Sequence, residues 1–333
     1  MKNFTTVQDV KDPLQLIHEA LLLKEDPHSF PDLGKNKTLG LIFLNASLRT
    51  RLSTQKAAQN LGMNVIVINI NEEGWALEYE SGAIMNGNKV EHIKDAAAVL
   101  GTYCDIIGVR CFPSLKNRQS DYAEKTILQF MKHCNKPVIS LESATRHPLQ
   151  SLADAMTIME HKKKNKKNKV VLTWAPHIKP LPQAVANSFC EWMNRLDVEL
   201  VITHPEGYEL CEDFTRGATI CYNQEEALKD ADFVYVKNWS AYTEYGTMPE
   251  VKEDWLLNAE KMKTSNEAFL MHCLPVRRNV EVPDALLDNK QSLIYQQAEN
   301  RVFSAQIVLK KILEYKEKRI VTEEQFLKAA SQI

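Results

Sequence analysis

Leu39-Gly40-Leu41-Ile42-Phe43-Leu44-Asn45-Ala46-Ser47-Leu48-Arg49-Thr50-Arg51 decides how the rest of the chain is read. Its first half is an apolar run bounded by lysines and Asn45, the pattern of a buried strand. From Thr50 onward Leu52, Ala57, Ala58 and Leu61 recur at helical spacing, which predicts an amphipathic helix over 50–61. Ser47, Arg49, Thr50 and Arg51 therefore stand where a strand ends and a helix begins. Backbone N–H groups at such an end are unpaired, and the aligned peptide dipoles leave it partly positive. Two hydroxyls and two guanidiniums in the same turn describe an anion site best suited to phosphate. The plainer alternative is a Ser47 N-cap with the arginines on a solvated face.

The alternation continues outward from this junction. A helix is predicted over 14–24 before it. Strands follow over 64–70, 105–111 and 137–141, with helices over 91–102 and 122–134. After a helix over 149–161, strands fit 170–174, 199–203, 233–236, 269–272 and 292–295. Helices fit 181–196, 224–230 and 298–318 between and beyond them. Such alternation predicts an α/β protein with parallel sheets covered on both faces. We read two doubly wound domains, 1–147 and 148–302, with a boundary near His147. Open parallel sheets bind ligands beyond the carboxyl ends of their strands. Ser47, Arg110, Glu142, His147, the stretch 174–179, Lys237 and Cys273 all fall just after predicted strand ends, which points to one cleft between the domains.

Composition excludes several function classes. A chain of 333 residues is long enough for a core in each of two domains. The formal charge of −2 carries no basic excess for a nucleic-acid partner. The lysine run at 162–169, six lysines and two asparagines, reads as a solvated loop between ordered segments. No apolar run approaches the roughly 20 residues that span a bilayer, and the first residues lack a signal-peptide core. Seven scattered cysteines without a Cys-x-x-Cys pair are expected to be reduced thiols in a cytoplasmic protein, with no metal. A nucleotide-dependent dehydrogenase is disfavoured, because no Gly-x-Gly-x-x-Gly follows a strand and the chain holds only 11 glycines.

The Ser47-x-Arg49-Thr50-Arg51 turn also resembles the carbamoyl-phosphate signature of the aspartate/ornithine transcarbamylase superfamily. Four more landmarks follow in family order: Gly108-Val109-Arg110, His147-Pro148-Leu149-Gln150, His272-Cys273-Leu274-Pro275 and Glu299-Asn300-Arg301. The nearest resemblance is to the branch acting on N-acylated ornithines. It implies that Ser47, Leu48 (through its N–H), Arg49 and Thr50 bind phosphate, and that Arg301 adds a cation. Arg110 would reach both phosphate and carbonyl oxygen, His147 would donate to the carbonyl, and Gln150 would orient the carbamoyl amide. Cys273 and the Leu274 carbonyl would accept from the attacking amine. No cofactor is expected. The family's last helix, here about 303–333, packs back on the first domain. The equivalent of Trp75 reaches a neighbouring subunit's phosphate site, which implies a homotrimer with shared active sites.

The amine is legible as well. Plain ornithine enzymes hold the free α-ammonium with an aspartate in a Tyr-Thr-Asp-x-Trp segment, where this chain reads Tyr235-Val236-Lys237-Asn238-Trp239. A lysine there would repel an ammonium and suit an acylated amine with carboxylates. Lys237 as a solvated strand-end residue is the plainer alternative. His177 and Lys179 match a segment of the acylornithine branch. Glu142 and one of Arg277 or Arg278 are further substrate contacts, with the choice between the arginines open. Acyl selectivity is expected to turn on Val90, where acetyl enzymes carry glutamate and succinyl enzymes proline. Acetyl enzymes also carry a lysine where Glu281 stands. Both departures favour carbamoyl transfer to N-succinyl-L-ornithine. N-acetyl-L-ornithine is the first alternative acceptor, and a carbamoyl-phosphate-binding protein without turnover is the second.

Overall fold

The computed structural model describes residues 1–164 and 166–330, with Asn71 and 316–330 described by backbone alone. Two parallel sheets organise it. In the first, β1 (Thr38–Phe43), β2 (Asn64–Asn69), β3 (Ile106–Arg110) and β4 (Val138–Glu142) lie in the order β2-β1-β3-β4. In the second, β5 (Asn168–Trp174), β6 (Val198–Thr203), β7 (Thr219–Cys221), β8 (Phe233–Lys237) and β9 (Phe269–Met271) lie in the order β9-β8-β5-β6-β7. The pairings within both are parallel. β3, β4 and β8 are buried at every position, as the continuous apolar runs of covered parallel strands require.

Alternate residues of the inner strands enter different cores, which shows both faces of the sheets covered there. Leu39 and Leu41 of β1 join one cluster and Ile42 another. Leu172 and Tyr235 of the second sheet join the same cluster as Leu39, whereas Val171 and Val234 face away. One apolar core thus runs between the sheets. It is filled by α1 (Pro13–Glu25), α5 (Pro148–His161), α6 (Ala184–Met193) and α7 (Ile294–Ala330), while α2 (Leu48–Asn60), α3 (Ile93–Tyr103) and α4 (Lys125–His133) accompany the first sheet. α5 is buried from Pro148 to Ile158 without a break, so it is enclosed on every side. α7 packs against α1, α2 and α5. Residues 331–333 of the segment expected to return to the first domain lie outside the described residues.

Several expectations need correction. Residues 292–295 do not form a strand; Ser292 makes an isolated bridge to Leu270, and Ile294 already starts α7. Two apolar residues were too short a signal to separate strand from helix. The polar edge strand β7 gave no apolar run to find. The helix expected over 122–134 is broken at Glu124, which is left-handed at φ 51°. Its carboxylate accepts from the Ser143 hydroxyl at 2.6 Å and the Thr145 N–H at 2.8 Å. Leu52 is 56% exposed; α2 instead buries Thr50, Ser53, Thr54 and Asn60, and Asn60 Nδ2 donates to Gln306 Oε1 of α7 at 2.9 Å. The lysine run is not wholly solvated, because Lys163 and Lys166 pair with Asp232 at 3.2 and 2.7 Å.

Leu309 of α7 is fully buried in the shared core. Leu309→Ala should remove about 2–5 kcal/mol of stability, read as a lower urea midpoint.

Candidate active site

Beyond the carboxyl ends of β1, β3, β4, β5 and β8 lies a cleft of about 490 Å³. One end is built by the opening turn of α2. Ser47 is its N-cap in extended backbone, and the hydroxyl makes no capping bond, so it stays available for a ligand. Ser47, Leu48, Arg49 and Thr50 all line the cleft, whereas Arg51 is exposed; only one of the two signature guanidiniums points in. Arg301, from α7, donates through Nη2 to Thr50 Oγ1 at 2.5 Å. Arg110 donates through Nη1 to Glu142 Oε2 at 2.5 Å and stacks over Phe112 at 4.5 Å. A register irregularity between Val109 and Arg110 sets these last residues of β3 and β4 opposite each other. The Nε atoms of Arg49 and Arg110 have no hydrogen-bond partner. Burial holds Arg301 down to about 10, and its neighbours Arg110 and Arg49 push the same way. Three guanidiniums gathered here, of which Arg110 alone is paired with a carboxylate, make the electrostatic setting of an anion site.

His147 and Gln150 stand at the start of α5 in mid-cleft. The His147 backbone N–H is anchored by Ser188 Oγ at 3.1 Å, while Nδ1 has no partner and Nε2 lies 3.6 Å from Glu142. Burial, then Arg301 and Arg110, hold its pKa well below the usual imidazole range, so the ring is neutral. Gln150 gives its Nε2 to Asp154 Oδ1 at 2.7 Å, which leaves Oε1 unpartnered.

The far end is cationic too. Lys237 closes β8 and is buried, which removes the solvated-lysine alternative. Cys273 and Leu274 line the wall beside it. Burial pushes the Cys273 thiol up, so it is not a ready nucleophile. Glu281, a lining residue that the sequence flagged only for selectivity, is ionised. Burial opposes that charge, yet His272 at 3.8 Å and Lys237 hold its pKa at about 2. Arg277 Nε donates to His177 Nε2 at 3.2 Å, so His177 Nδ1–H donates to the Lys179 carbonyl at 2.8 Å. All three line the cleft. Arg278 does not; its guanidinium is held outside by Asp284 at 2.6 Å and Asp288 at 2.8 Å. Trp75 and Val90, 52% and 67% exposed, are also not among the lining residues, and Trp75 Nε1 donates to Glu91 Oε2 at 2.8 Å. Phe112 was missed because nothing marks an aromatic two residues past a strand-end arginine.

The carbamoyl-P binding domain of aspartate/ornithine carbamoyltransferases matches residues 2–160, and the Asp/Orn binding domain of the same family matches 182–312. The chain belongs to the aspartate/ornithine carbamoyltransferase family. It is 54% identical to the N-succinylornithine carbamoyltransferase of Bacteroides fragilis, across 94% of this chain and 99% of that one. The Bacteroides thetaiotaomicron protein of the same name is 52% identical over the same shares. A solved N-acetyl-L-ornithine transcarbamylase, a glutamate-to-valine mutant complexed with carbamyl phosphate and N-succinyl-L-norvaline, superposes with a TM-score of 0.88. It is 32% identical and covers 94% of this chain and 100% of its own. In this carbamoyltransferase, among the described residues, no helix is long and apolar enough to cross a membrane.

The depressed pKa of His147 has a sign that can be measured. Its stability contribution is full above the unfolded imidazole value of about 6.5 and is lost as pH falls towards the folded value. Wild type should therefore lose Tm relative to His147→Gln between about pH 7 and pH 5. Parallel Tm curves would show that His147 does not titrate as described.

Proposed function

We propose that this cleft transfers the carbamoyl group of carbamoyl phosphate to the δ-amine of N-succinyl-L-ornithine, giving N-succinyl-L-citrulline and phosphate for arginine biosynthesis. The observation that carries this reading is the gathering of Arg49, Arg110 and Arg301 around the free end of α2, facing a second cationic wall at Lys237, Lys179 and Arg277. The first suits a phosphorylated donor; the second suits the carboxylates of an acylated amino acid. The two relatives that are 54% and 52% identical carry the succinyl name.

In the reaction the δ-nitrogen attacks the carbonyl carbon, the bond from that carbon to the phosphate oxygen breaks, and phosphate leaves with the proton the amine sheds. Ser47, the Leu48 N–H, Arg49, Thr50 and Arg301 would hold the phosphate. Arg110 would span phosphate and carbonyl oxygen, where negative charge develops. Neutral His147 would donate one N–H to that oxygen, and Gln150 Oε1 would accept from the carbamoyl amide. Cys273 Sγ and the Leu274 carbonyl would accept from the amine and select its uncharged form. Glu142, His177, Lys179, Lys237 and Arg277 would contact the acylornithine. Arg278, tied to two aspartates, is withdrawn from that set. The N-terminal half to 147 with the returning α7 would bind the donor, and 148–302 the acceptor.

Trp75 and Val90 are exposed and do not line the chain's own cleft. This supports a homotrimer in which they complete a neighbour's site. Free cysteines at 104, 111, 134, 190, 211, 221 and 273 support a reducing, cytoplasmic setting. For the acyl group, valine at position 90 opposes no like charge to a succinyl carboxylate, and the valine mutant solved with N-succinyl-L-norvaline supports that reading.

Steady-state rates with both acylornithines test the assignment: N-succinyl-L-ornithine should be preferred, and a clear acetyl preference would overturn it. Arg110→Ala should cost about 3–4 kcal/mol in kcat/KM. Val90→Glu should move the ratio of the two rates towards the acetyl substrate.

A further inference from the structure

Asp154 is a fully buried carboxylate one helical turn below Gln150, and the mechanism above does not use it. A single oxygen, Oδ1, receives two amides: Gln150 Nε2 at 2.7 Å and Gln297 Nε2, from α7, at 2.6 Å. A carboxyl oxygen without a proton only accepts, so both side-chain amides must turn their NH₂ groups towards it. For Gln150 this leaves Oε1, otherwise unpartnered, as the acceptor on the cleft wall. For Gln297 it leaves Oε1 to accept the backbone N–H of His272 at 3.0 Å. His272 in turn fixes the next residues, because its Nδ1 accepts from the Leu274 N–H at 2.9 Å.

We propose that Asp154 is a positioning residue that sets the amide orientation of Gln150 and, through Gln297, the backbone of the turn at residues 272–274. One oxygen thereby aligns the side of the cleft that reads the carbamoyl amide with the side that receives the amine. This rests on the carbamoyltransferase reading. With the Gln150 amide turned over, an NH₂ would meet the carbamoyl NH₂, donor against donor. Alignment depends on an acceptor at Oδ1 rather than on charge. Burial raises Asp154 to about 7, yet a carboxyl protonated on Oδ2 still offers Oδ1 to both amides.

The test compares Asp154→Asn with Asp154→Leu, each alone and in a Gln150→Ala background, by steady-state kinetics with carbamoyl phosphate and N-succinyl-L-ornithine. Asn keeps a carbonyl at Oδ1 and Leu removes it at similar volume. Asp154→Leu should lower kcat on the order of 10- to 100-fold, with a smaller change in the carbamoyl phosphate KM. Asp154→Asn should recover most of that loss, and the Leu penalty should shrink once Gln150 is gone. An equal penalty in both backgrounds, or Asn as harmful as Leu, would overturn the proposal. Should Asp154→Leu fail to fold, Gln297→Met serves instead: it should raise the KM for the acylornithine and leave that for carbamoyl phosphate unchanged, and the reverse pattern would overturn the proposal. Wild type without carbamoyl transfer would instead defeat the reading of function.

Discussion

Arginines forced together out of water are the constraint on which this molecule turns. Arg110 and Arg301 are buried and Arg49 is half-buried, with Glu142 the carboxylate closest to hand. Like charges in such a place repel, and desolvation raises the cost of each. A protein tolerates this only when the surrounding fold over-determines it. Here three separate elements, the start of α2, the end of β3 and the second turn of α7, each deliver one guanidinium. A phosphate dianion seated among them, as proposed, would relieve the repulsion, so binding and relief of strain would be the same event.

The packing shows how that arrangement is held. α5 is enclosed on every side between the two sheets, so its first turn cannot tilt without disturbing both halves. His147 and Gln150 ride on that turn and inherit its rigidity. Two of the polar groups that α5 buries are bonded to α7: Asp154 to Gln297 at 2.6 Å, and Thr157 to Asn300 at 2.9 Å. Buried polar contacts of this kind are worth little net stability but cost heavily when left unmade, which makes them good locks for orientation.

Much of this was legible in the chain, for identifiable reasons. Strands such as 106–110 and 233–237 are buried on both faces and leave continuous apolar runs. The strand-end rule then located Arg110, Glu142 and Lys237 without reference to any relative. What stayed hidden depended on long-range contacts. No local pattern distinguishes Arg277 from Arg278; Asp284 and Asp288 decide it by capturing the second. Leu52 looked like core because helical spacing cannot reveal that α2 turns other residues inward, with Asn60 bonded to Gln306 of α7. Glu124 ended a helix by bonding a loop twenty residues away in sequence. Asp154 carried no motif at all.

The position of Arg301 in α7 bears on how the protein comes into being. A ribosome releases the first sheet early, at roughly 5–20 residues per second. The proposed phosphate site nonetheless lacks one of its three guanidiniums until translation has passed residue 301 of 333. The helix that supplies it also covers the flank of α2. A chain cut short by a nonsense codon before that point would lack one of the three guanidiniums of the proposed donor site. Because α7 completes both the shared core and the proposed anion site, the two halves are not inheritable modules.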